Sequence, residues 1–484
     1  MDGGTSRIRL ASGSGDPDIL GLTADSRTVR PGYLFAALAG ARADGRSYLA
    51  DALKRGAAAV LAAADEAPAG LAVPVIADPN PRRLLALMAA RFHAPQPKTV
   101  AAVTGTNGKT SIAVFARQLW TAQGFKAASI GTIGLVAPGI ERAGSLTTPD
   151  PVELHRELQT LARTGVDHLA LEASSHGLEQ FRLDGVDLAA AAFTNLTRDH
   201  LDYHGDMAHY FAAKKRLFAE LLPAGGAAVI NADIPEAPEL IALAKSRGHK
   251  LATYGTAANA TLRLLSVRPT EPGLAVEIVA NGVRRALTLP LIGDFQAMNA
   301  LAALGLALAT GVTLDVALDA LAKLQGAPGR MEIVARHPSG GPAIVDYAHT
   351  PDALEAALTA LRPHAQKRLI VVFGAGGDRD AGKRPLMGAI AERLADIAIV
   401  TDDNPRSEDA ALIRRAILAS CPKGREIGDR REAIRAGAKL MSAGDLLLVA
   451  GKGHETGQIA GGKTLPFNDK DETRAAIAVL GGRA

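Results

Sequence analysis

Cysteine, aromatic residues and an excess of one charge sign are all scarce in this 484-residue chain. The single cysteine, Cys421, excludes an intrachain disulfide and a metal site built from several thiolates. Aromatic residues make up 4% of the chain, which favours closely packed helices on sheets over a surface of stacked rings. The 54 basic and 50 acidic residues leave a net charge of +4 without a dense basic run, so we expect no nucleic-acid partner.

A hydrophobic run long enough to cross a membrane is also missing. The most apolar long stretch, residues 298–312, is too short for a bilayer and predicts a buried helix. Residues 1–14 contain no apolar core of the kind that a signal peptide carries. With 48% hydrophobic and 21% charged residues, the composition is that of a folded protein. We therefore expect a cytoplasmic monomer without membrane insertion.

Short apolar runs alternate with helical stretches, which predicts an α/β fold with parallel sheets covered by helices. The length predicts about three domains. A proline-marked segment at 94–97 and a Gly/Pro turn at 326–330 divide the chain into domains 1–97, 98–327 and 328–484. The predicted strands lie at 33–39, 58–63, 73–77, 99–103, 168–171, 189–194, 227–231, 343–347, 369–373, 397–401 and 445–450.

Residues 262–289 have a different sequence pattern, because apolar and polar residues alternate there. Asn281-Gly282 within this stretch is a hairpin-turn dipeptide. The pattern predicts a small antiparallel extension of the middle sheet.

Residues 103–111 read Val-Thr-Gly-Thr-Asn-Gly-Lys-Thr-Ser and lie between a predicted strand and a predicted helix at 111–123. Backbone N–H groups of such a turn point at phosphate oxygens, and its lysine reaches the terminal phosphates. Thr110 would place its hydroxyl on Mg²⁺. The general phosphate-loop pattern has glycine where this chain has Val103, and the alternative is an ordinary glycine-rich turn. The pattern predicts an ATP site at Gly105, Thr106, Asn107, Gly108, Lys109, Thr110 and Ser111.

Six further motifs accompany this loop: Thr147-Thr-Pro-Asp150, Glu172-Ala-Ser-Ser-His-Gly-Leu178, Asn195-Leu-Thr-Arg-Asp-His-Leu-Asp-Tyr-His-Gly205, Asp346-Tyr-Ala-His-Thr-Pro351, Asp403-Asn-Pro-Arg406 and Gly451-Lys-Gly-His-Glu455. Together they resemble the Mur ligase family of ATP-dependent amide-bond-forming enzymes, which also contains the folylpolyglutamate synthetases. The resemblance spans nearly the whole chain. It implies a central P-loop ATPase domain with a parallel sheet, an N-terminal α/β domain that binds a UDP substrate, and a C-terminal Rossmann-like domain that binds an amino acid.

Three residues are candidate ligands of Mg²⁺ besides Thr110. Glu172 ends a predicted strand, where open α/β sheets place ligand-binding residues, although a surface or helix-capping role is the alternative. The resemblance makes His200 a ligand of a second Mg²⁺, and a hydrogen-bonding core histidine is the alternative. It also implies that Lys214 is carbamylated and helps to hold that ion. An ordinary helical lysine is a solvated charge, and Lys215 is the neighbouring candidate.

The resemblance also assigns residues to a UDP-sugar-peptide substrate, UDP-N-acetylmuramoyl-L-alanyl-D-glutamate, which consists of a uridine nucleotide and a muramoyl-dipeptide. Ser26, in the turn Asp25-Ser-Arg27, corresponds to the uridine site. Asn299 and His349 are expected near the nucleotide. The predicted contacts of the muramoyl-dipeptide are Thr147, Thr148, Ser174, Gln180 and Arg182. Loop capping is an equally ordinary role for Thr147 and Ser174.

The incoming amino acid is expected at the remaining motifs. Under this resemblance the incoming amino acid is meso-diaminopimelate or L-lysine, and meso-diaminopimelate carries one more carboxylate, at the far end of its side chain. A guanidinium pairs with a carboxylate in a bidentate manner, so Arg406 is the candidate partner of that carboxylate. The alternative is a proline-fixed turn with Arg406 in solvent. Arg379 would approach the same substrate, and its position argues against a dinucleotide fingerprint at 374–379, which needs glycine there. The other predicted contacts are Asp403, Asn404 and Pro405, with Gly451 and Glu455 at the distal amine.

The resemblance therefore implies that the chain adds meso-2,6-diaminopimelate to UDP-N-acetylmuramoyl-L-alanyl-D-glutamate through an acyl phosphate, in peptidoglycan synthesis. Catalysis would depend on Lys109, Glu172, His200 and Lys214, with ATP, Mg²⁺ and the carbamate on Lys214. Addition of L-lysine by the same kind of ligase is one alternative. A folylpolyglutamate synthetase-like ligase is a second, and a nucleotide-dependent switch, which needs only the phosphate loop, is a third.

Overall fold

Three sheets and a separate hairpin organise the chain in a computed structural model. The structure describes residues 9–12, 16–40, 44–144, 146–270 and 273–483. Most of the segment 1–14, for which no signal peptide is expected, lies outside these ranges. The α/β class with three units that the sequence predicts is confirmed.

The first sheet has five strands in the order β1-β5-β4-β3-β2, and all neighbours are parallel except β1. Its elements are β1 (Arg9–Ser12), β2 (Gly21–Thr23), β3 (Tyr33–Ala36), β4 (Ala57–Ala63), β5 (Val75–Asp78), α1 (Leu49–Lys54) and α2 (Pro81–Phe92). The side chain of Asn80 caps α2, and Pro81 occupies its first turn, where no N–H partner is needed.

The second sheet has eleven strands in the order β16-β15-β14-β13-β12-β11-β6-β10-β7-β8-β9. Its strands are β6 (Thr99–Thr104), β7 (Ala127–Gly131), β8 (Gly134–Ala137), β9 (Ile140–Arg142), β10 (His168–Glu172), β11 (Leu188–Phe193), β12 (Ala227–Asn231), β13 (Lys250–Gly255), β14 (Leu262–Pro269), β15 (Leu274–Ala280) and β16 (Val283–Leu289). Its helices are α3 (Lys109–Gln123), α4 (Pro151–Arg163), α5 (Ser175–Glu179), α6 (Leu201–His204), α7 (Met207–Arg216), α8 (Ala237–Ser246), α9 (Phe295–Ala309) and α10 (Leu314–Leu321).

Both faces of the sheet are buried around its central strand β6, which explains the unbroken apolar run of that strand. Ala101 and Val103 face the core formed with α3, α9 and α10, whereas Val100 and Ala102 face the core on the opposite side. The parallel strands β6, β10 and β11 are neighbours, so their carboxyl ends bring the segments after Thr104, Glu172 and Phe193 together. This edge carries the phosphate loop.

The third sheet has six strands in the order β17-β18-β22-β19-β20-β21, and β23-β24 form the hairpin. Its elements are β17 (Glu332–Arg336), β18 (Pro342–Asp346), β19 (Leu369–Phe373), β20 (Ile397–Val400), β21 (Arg425–Glu426), β22 (Leu446–Ala450), β23 (Gly457–Ala460), β24 (Lys463–Pro466), α11 (Pro351–Leu361), α12 (Lys383–Leu394), α13 (Ala410–Leu418), α14 (Arg430–Leu440) and α15 (Asp469–Val479). The carboxyl ends of β18, β20 and β22 lead directly into three of the motifs that the sequence singles out.

The predicted strands all appear within a few residues, and so does the antiparallel extension with its turn between Ala280 and Val283. The pattern did not reveal the antiparallel strands β8 and β9 at the other sheet edge, the hairpin β23-β24, or the strands β1, β2, β7, β13, β17 and β21. The strands β8, β9, β23 and β24 are only three or four residues long, so they are too short to show a periodicity. None of the helices in the described residues is long and apolar enough to cross a membrane.

A buried ion pair fixes the helix that carries Lys214. Arg216, at the end of α7, donates from Nη2 to both carboxylate oxygens of Asp184 at 2.8 and 2.9 Å, and both side chains are under 10% exposed. Arg83 of α2 donates to the same carboxylate at 3.0 Å. Asp184 therefore joins α7 to the N-terminal unit.

We expect Asp184→Asn to lower the unfolding free energy of the middle unit by about 3 kcal/mol, because it leaves the buried Nη2 of Arg216 without its carboxylate and only the exposed Glu220 as a counter-charge. Fluorescence of Trp120, the only tryptophan, reports this unit during urea unfolding, since its side chain is fully buried in α3. Glu239→Gln is the matched control, because it breaks the exposed pair with Lys215 and should change stability by less than about 1 kcal/mol. Equal effects of the two substitutions would contradict this role of Asp184.

Candidate functional site

The phosphate loop passes from β6 into α3 through two glycines with positive φ. A Cβ at Gly105, where φ is 137°, would collide with Thr194 Oγ1, and a Cβ at Gly108 would collide with Asn299 Oδ1. Thr194 Oγ1 donates to the carbonyl of Asn107 at 2.6 Å, so the neighbouring strand end fixes the loop. Asn299 therefore lies beside the loop, as the sequence predicts for a residue near the nucleotide.

Two lysines share one acceptor beneath this loop. Lys109 Nζ donates to the carbonyls of Gly105 at 2.9 Å and Thr106 at 2.8 Å, and Lys214 Nζ donates to the same Gly105 carbonyl at 2.8 Å. Lys214 is 1% exposed, and its Nζ lies 4.3 Å from the centre of the Tyr210 ring. Burial, and then the charge of Lys109, hold the pKa of Lys214 well below its ordinary value. Lys214 is thus a buried amine, whereas Lys215 pairs with Glu239 at the surface.

Glu172 is the buried carboxylate of the site. It accepts from Thr110 Oγ1 at 3.0 Å and from the N–H and hydroxyl of Thr132 at 2.8 and 3.0 Å. Its side chain is 1% exposed, so it is neither a surface residue nor a helix cap. The hydroxyl of Thr110 and this carboxylate are hard oxygen donors, and their proximity fits Mg²⁺.

Arg330 reaches this pair of a hydroxyl and a carboxylate from the turn that precedes the third sheet. Its Nη2 donates to Thr110 Oγ1 at 3.2 Å, and its guanidinium stacks over Tyr347 at 4.2 Å. Asp346 fixes the turn, because its carboxylate accepts from the N–H of Met331 at 2.7 Å and from that of Ala348 at 2.8 Å. Arg330 therefore brings a cation from the third unit to the phosphate loop.

A cavity of about 170 Å³ opens between the middle and C-terminal units. It collects eight of the predicted site residues, namely His200, His349, Arg379, Asp403, Asn404, Arg406, Gly451 and Glu455. The other lining residues are Arg198, Asp199, Asp202, Tyr347, Thr350, Pro351, Gly376, Asp380 and Lys383. Residues that lie more than 200 positions apart in the sequence thus face one space.

His200 lies at the wall of this cavity, with a positive φ of 56° and 41% of its side chain exposed. Its backbone N–H donates to Asp199 Oδ1 at 2.9 Å. Partial burial of the ring is the main cause that lowers its pKa to about 4, and the charge of the Asp199 carboxylate acts in the opposite direction. The ring is therefore a neutral imidazole near pH 7, which is the form that can ligate a metal. Within the described ranges, no three His, Cys, Asp or Glu side chains gather closely enough to hold a metal by themselves.

The C-terminal wall of the cavity is a hydrogen-bonded cluster. Asn404 Nδ2 donates to Glu455 Oε2 at 2.9 Å, and the buried Lys452 donates to the same oxygen at 2.7 Å and to Asn404 Oδ1 at 2.9 Å. Arg406 Nη1 donates to the Gly377 carbonyl at 2.8 Å. Burial, and then the nearby charge of Arg379, lower the pKa of Arg406. Arg406 thus lines the cavity instead of extending into solvent.

Four of the five residues predicted to bind the muramoyl-dipeptide form one network at the carboxyl end of β10. Thr148 Oγ1 donates to the Glu172 carbonyl at 2.8 Å and lies 3.0 Å from Ser174 Oγ, which caps α5 by accepting from Gly177 N–H. Arg182 donates to the Thr148 carbonyl and to Gln180 Oε1, each at 2.7 Å. Thr148 and Ser174 therefore stabilise the loop, and their contact with a substrate stays a prediction.

Two other predicted residues lie in separate places. Thr147 Oγ1 lies 3.1 Å from Thr132 Oγ1, whose proton goes to Glu172, and this contact ties Thr147 to the Glu172 network. Ser26 is buried in a short 3₁₀ turn that Asp25 caps in the N-terminal unit. The structure does not bring Ser26 into the cavity described above.

Sequence reasoning missed Asp199, Arg330, Lys383 and Lys452 as site residues. Each stands inside or next to a motif that the sequence singled out, but no pattern indicates which motif residue faces the site. Burial opposes ionisation of Asp199, yet His200, His349 and Lys383 lower its pKa overall. Lys383 Nζ donates to the His349 carbonyl at 2.9 Å, so it fixes the segment after β18 at the cavity.

Comparison with known proteins gives three matches to family descriptions. They are the Mur ligase family, catalytic domain, at residues 18–93; the Mur ligase middle domain, at 103–307; and the Mur ligase, glutamate ligase domain, at 329–453. Among curated relatives, the UDP-N-acetylmuramoyl-L-alanyl-D-glutamate--2,6-diaminopimelate ligase of Rhizobium meliloti is 54% identical over 463 residues, which cover 96% of this chain and 95% of that one. The ligase of the same name from Caulobacter vibrioides is 55% identical over 468 residues and 96% of each chain.

Solved structures agree with these relatives. A structure of a UDP-N-acetylmuramoyl-L-alanyl-D-glutamate--2,6-diaminopimelate ligase is similar with a TM-score of 0.69 and 38% identity, over 96% of this chain and 95% of that one. The MurF ligase of Thermotoga maritima in complex with ADP has a TM-score of 0.65 over 95% and 97% of the chains. At 19% identity, this second likeness shows the fold alone.

We expect Gly105→Ala to weaken ATP binding by at least about tenfold, because a Cβ there displaces Thr194 and the backbone conformation disfavours it. Titration calorimetry with a nonhydrolysable ATP analogue measures this effect. Gly124→Ala is the matched control, since Gly124 also has a positive φ, of 96°, but a Cβ there meets nothing within 4 Å. Undiminished affinity in Gly105→Ala would remove the loop from the nucleotide site.

Proposed function

The chain belongs to the Mur ligase family, and we propose that it is the ATP-dependent ligase that adds meso-2,6-diaminopimelate to UDP-N-acetylmuramoyl-L-alanyl-D-glutamate in peptidoglycan precursor synthesis. The relatives that carry this activity in their names match nearly the full chain. The observation that supports the proposal best is the cavity, which places Arg406, Asp403 and Glu455 opposite the segment 198–202 of the ATPase unit. We also propose that the enzyme acts as a cytoplasmic monomer.

The proposed reaction joins groups bound on the two sides of this cavity, which the middle and C-terminal units form. The γ-phosphoryl group of ATP passes to the γ-carboxylate of the D-glutamyl residue, and ADP leaves. The amine of diaminopimelate then attacks the acyl carbon of this acyl phosphate, an amide bond forms, the bond to phosphate breaks, and the amine loses a proton. No protein nucleophile is needed, so the protein contributes positioning and electrostatic stabilisation.

Residues of this chain supply that stabilisation. Lys109 and Arg330 carry positive charge to the loop where the transferred phosphoryl group would lie. Mg²⁺, held by Thr110 and Glu172 and at a second position by His200 and a carbamylated Lys214, would neutralise charge on that group. Ser26, Thr147 and the network of Thr148, Ser174, Gln180 and Arg182 would hold the UDP-sugar-peptide.

The carbamate on Lys214 rests on the environment of its amine. Lys214 is buried, and within the described part of the chain it has no carboxylate partner; a backbone carbonyl accepts its only hydrogen bond given by the structure. A buried ammonium without a counter-charge is costly, whereas a neutral amine can add CO₂. The product is an anion of the kind that Mg²⁺ prefers.

We expect Lys214→Ala to abolish ligase activity and short carboxylic acids to restore part of it by supplying the lost anion. In ¹³C NMR with ¹³C-bicarbonate, the unmodified enzyme should show a carbamate carbon that is absent in Lys214→Ala. Lys215→Ala, which alters the exposed neighbour, should keep both the signal and the activity. A free Lys214 ammonium in the nucleotide-bound enzyme would contradict the carbamate.

We expect the enzyme to prefer meso-diaminopimelate strongly over L-lysine, and Arg406→Ala to lose most of that preference, because the extra carboxylate then has no guanidinium partner. Phosphate release is measured with each amino acid and with either the UDP-muramoyl-dipeptide or a folate as acceptor. Arg415→Ala, on the exposed face of α13, should keep the preference.

The same assay separates the rival functions. Equal or better use of L-lysine would exclude the diaminopimelate assignment and keep the ligase. Turnover with the folate acceptor alone would support a folylpolyglutamate synthetase. ATP turnover that needs neither an acceptor nor an amino acid would indicate a nucleotide-dependent switch.

A further inference from the structure

Lys452 lies directly behind the C-terminal wall of the cavity. Its side chain is 0% exposed, and its Nζ lies 2.7 Å from Glu455 Oε2, 2.9 Å from Asn404 Oδ1 and 3.8 Å from Asp403 Oδ1. All three of these neighbours line the cavity, whereas Lys452 itself does not. Lys452 therefore contacts the residues that meet the substrate without reaching the substrate.

The charges at this wall balance. Asp403 and Glu455 each carry a negative charge, and Lys452 and Arg406 each carry a positive one. The other charged residues of the cavity lining balance as well, with three basic against three acidic side chains: Arg198, Arg379 and Lys383 against Asp199, Asp202 and Asp380. The neighbouring buried pair of Arg430 and Asp469, joined at 2.7 Å, adds no net charge. The set of four is therefore neutral only when Lys452 is present.

The two candidate amino acids differ in the charge of their distal ends. The distal end of meso-diaminopimelate carries an ammonium and a carboxylate, so its net charge is zero. The side chain of L-lysine ends in an ammonium alone and carries a charge of +1. A neutral pocket matches the first, and a pocket with one extra negative charge would favour the second, because electrostatic complementarity decides between partners of different charge.

We propose that Lys452 is a positioning residue that sets the charge balance of this pocket and thereby selects a zwitterionic side-chain end over a cationic one. It does so by neutralising one of the two carboxylates and by orienting Asn404 and Glu455. This inference rests on the proposed function, and it adds to Arg406 a second determinant that does not touch the substrate.

The test measures kcat/KM for meso-diaminopimelate and for L-lysine in three variants. Lys452→Met leaves the wall with a net charge of −1, so the preference for meso-diaminopimelate should fall by about tenfold or more, mainly through KM. Glu455→Gln leaves +1, so the preference should rise even though both substrates react more slowly. The double variant restores neutrality, and its preference should return towards that of the unmodified enzyme.

A purely structural role predicts a different pattern, since it would slow both substrates equally and leave their ratio unchanged. A ratio constant within about twofold across the three variants would therefore overturn the proposal. Where Lys452→Met does not fold, the comparison of Glu455→Gln with the double variant carries the same test. Lys439→Met, on the exposed face of α14, is the matched control.

Failure of the proposed function would look different. An unmodified enzyme that does not join meso-diaminopimelate to the UDP-muramoyl-dipeptide would remove the function itself. An enzyme that does so, with an unchanged ratio in the variants, would remove only the role of Lys452.

Discussion

The carbonyl oxygen of Gly105 accepts hydrogen bonds from the side-chain nitrogens of Lys109 and Lys214, and the rest of the site depends on this arrangement. Two ammonium groups on one acceptor would repel each other in this enclosed space, and burial lowers the pKa of both lysines. Glu172 and Asp199 act in the opposite direction on Lys109 but offset only part of this effect. A polyphosphate in the loop would supply the missing negative charge, and a carbamate on Lys214 would turn one of the two amines into an anion.

That arrangement requires the backbone to turn at one point. The positive φ of Gly105 directs its carbonyl beneath the loop, and the absence of a side chain leaves room for Thr194. The two parallel strands β6 and β11 are neighbours, so the residues that follow them meet without any long connection. The order of the strands in the sheet therefore brings together most of the residues on the nucleotide side of the cavity.

Much of this was accessible from the sequence, because a strand followed by a glycine-rich turn and a helix has a local signature. The C-terminal wall of the cavity could also be predicted from the sequence, since its residues come from the two short motifs 403–406 and 451–455. Arg330 and Lys452 were not found, because their roles come from contacts with Thr110, 220 positions away, and with Asn404, 48 positions away. A motif places such residues near a site, but only packing decides which of them face substrate, which lie behind the wall and which pair with each other.

The roles within the wall follow from that packing. Arg406 lines the cavity, where its guanidinium would pair with a carboxylate that meso-diaminopimelate has and L-lysine lacks. Lys452 faces away and acts on every group in the pocket through its charge, so it penalises a substrate that carries one charge too many. A direct contact alone would leave a cationic side chain free to pair with Asp403 and Glu455. Selection between these two amino acids of similar length thus needs two features. One is a guanidinium partner for the distal carboxylate of meso-diaminopimelate, and the other is a neutral pocket that disfavours the uncompensated positive charge of the L-lysine side chain.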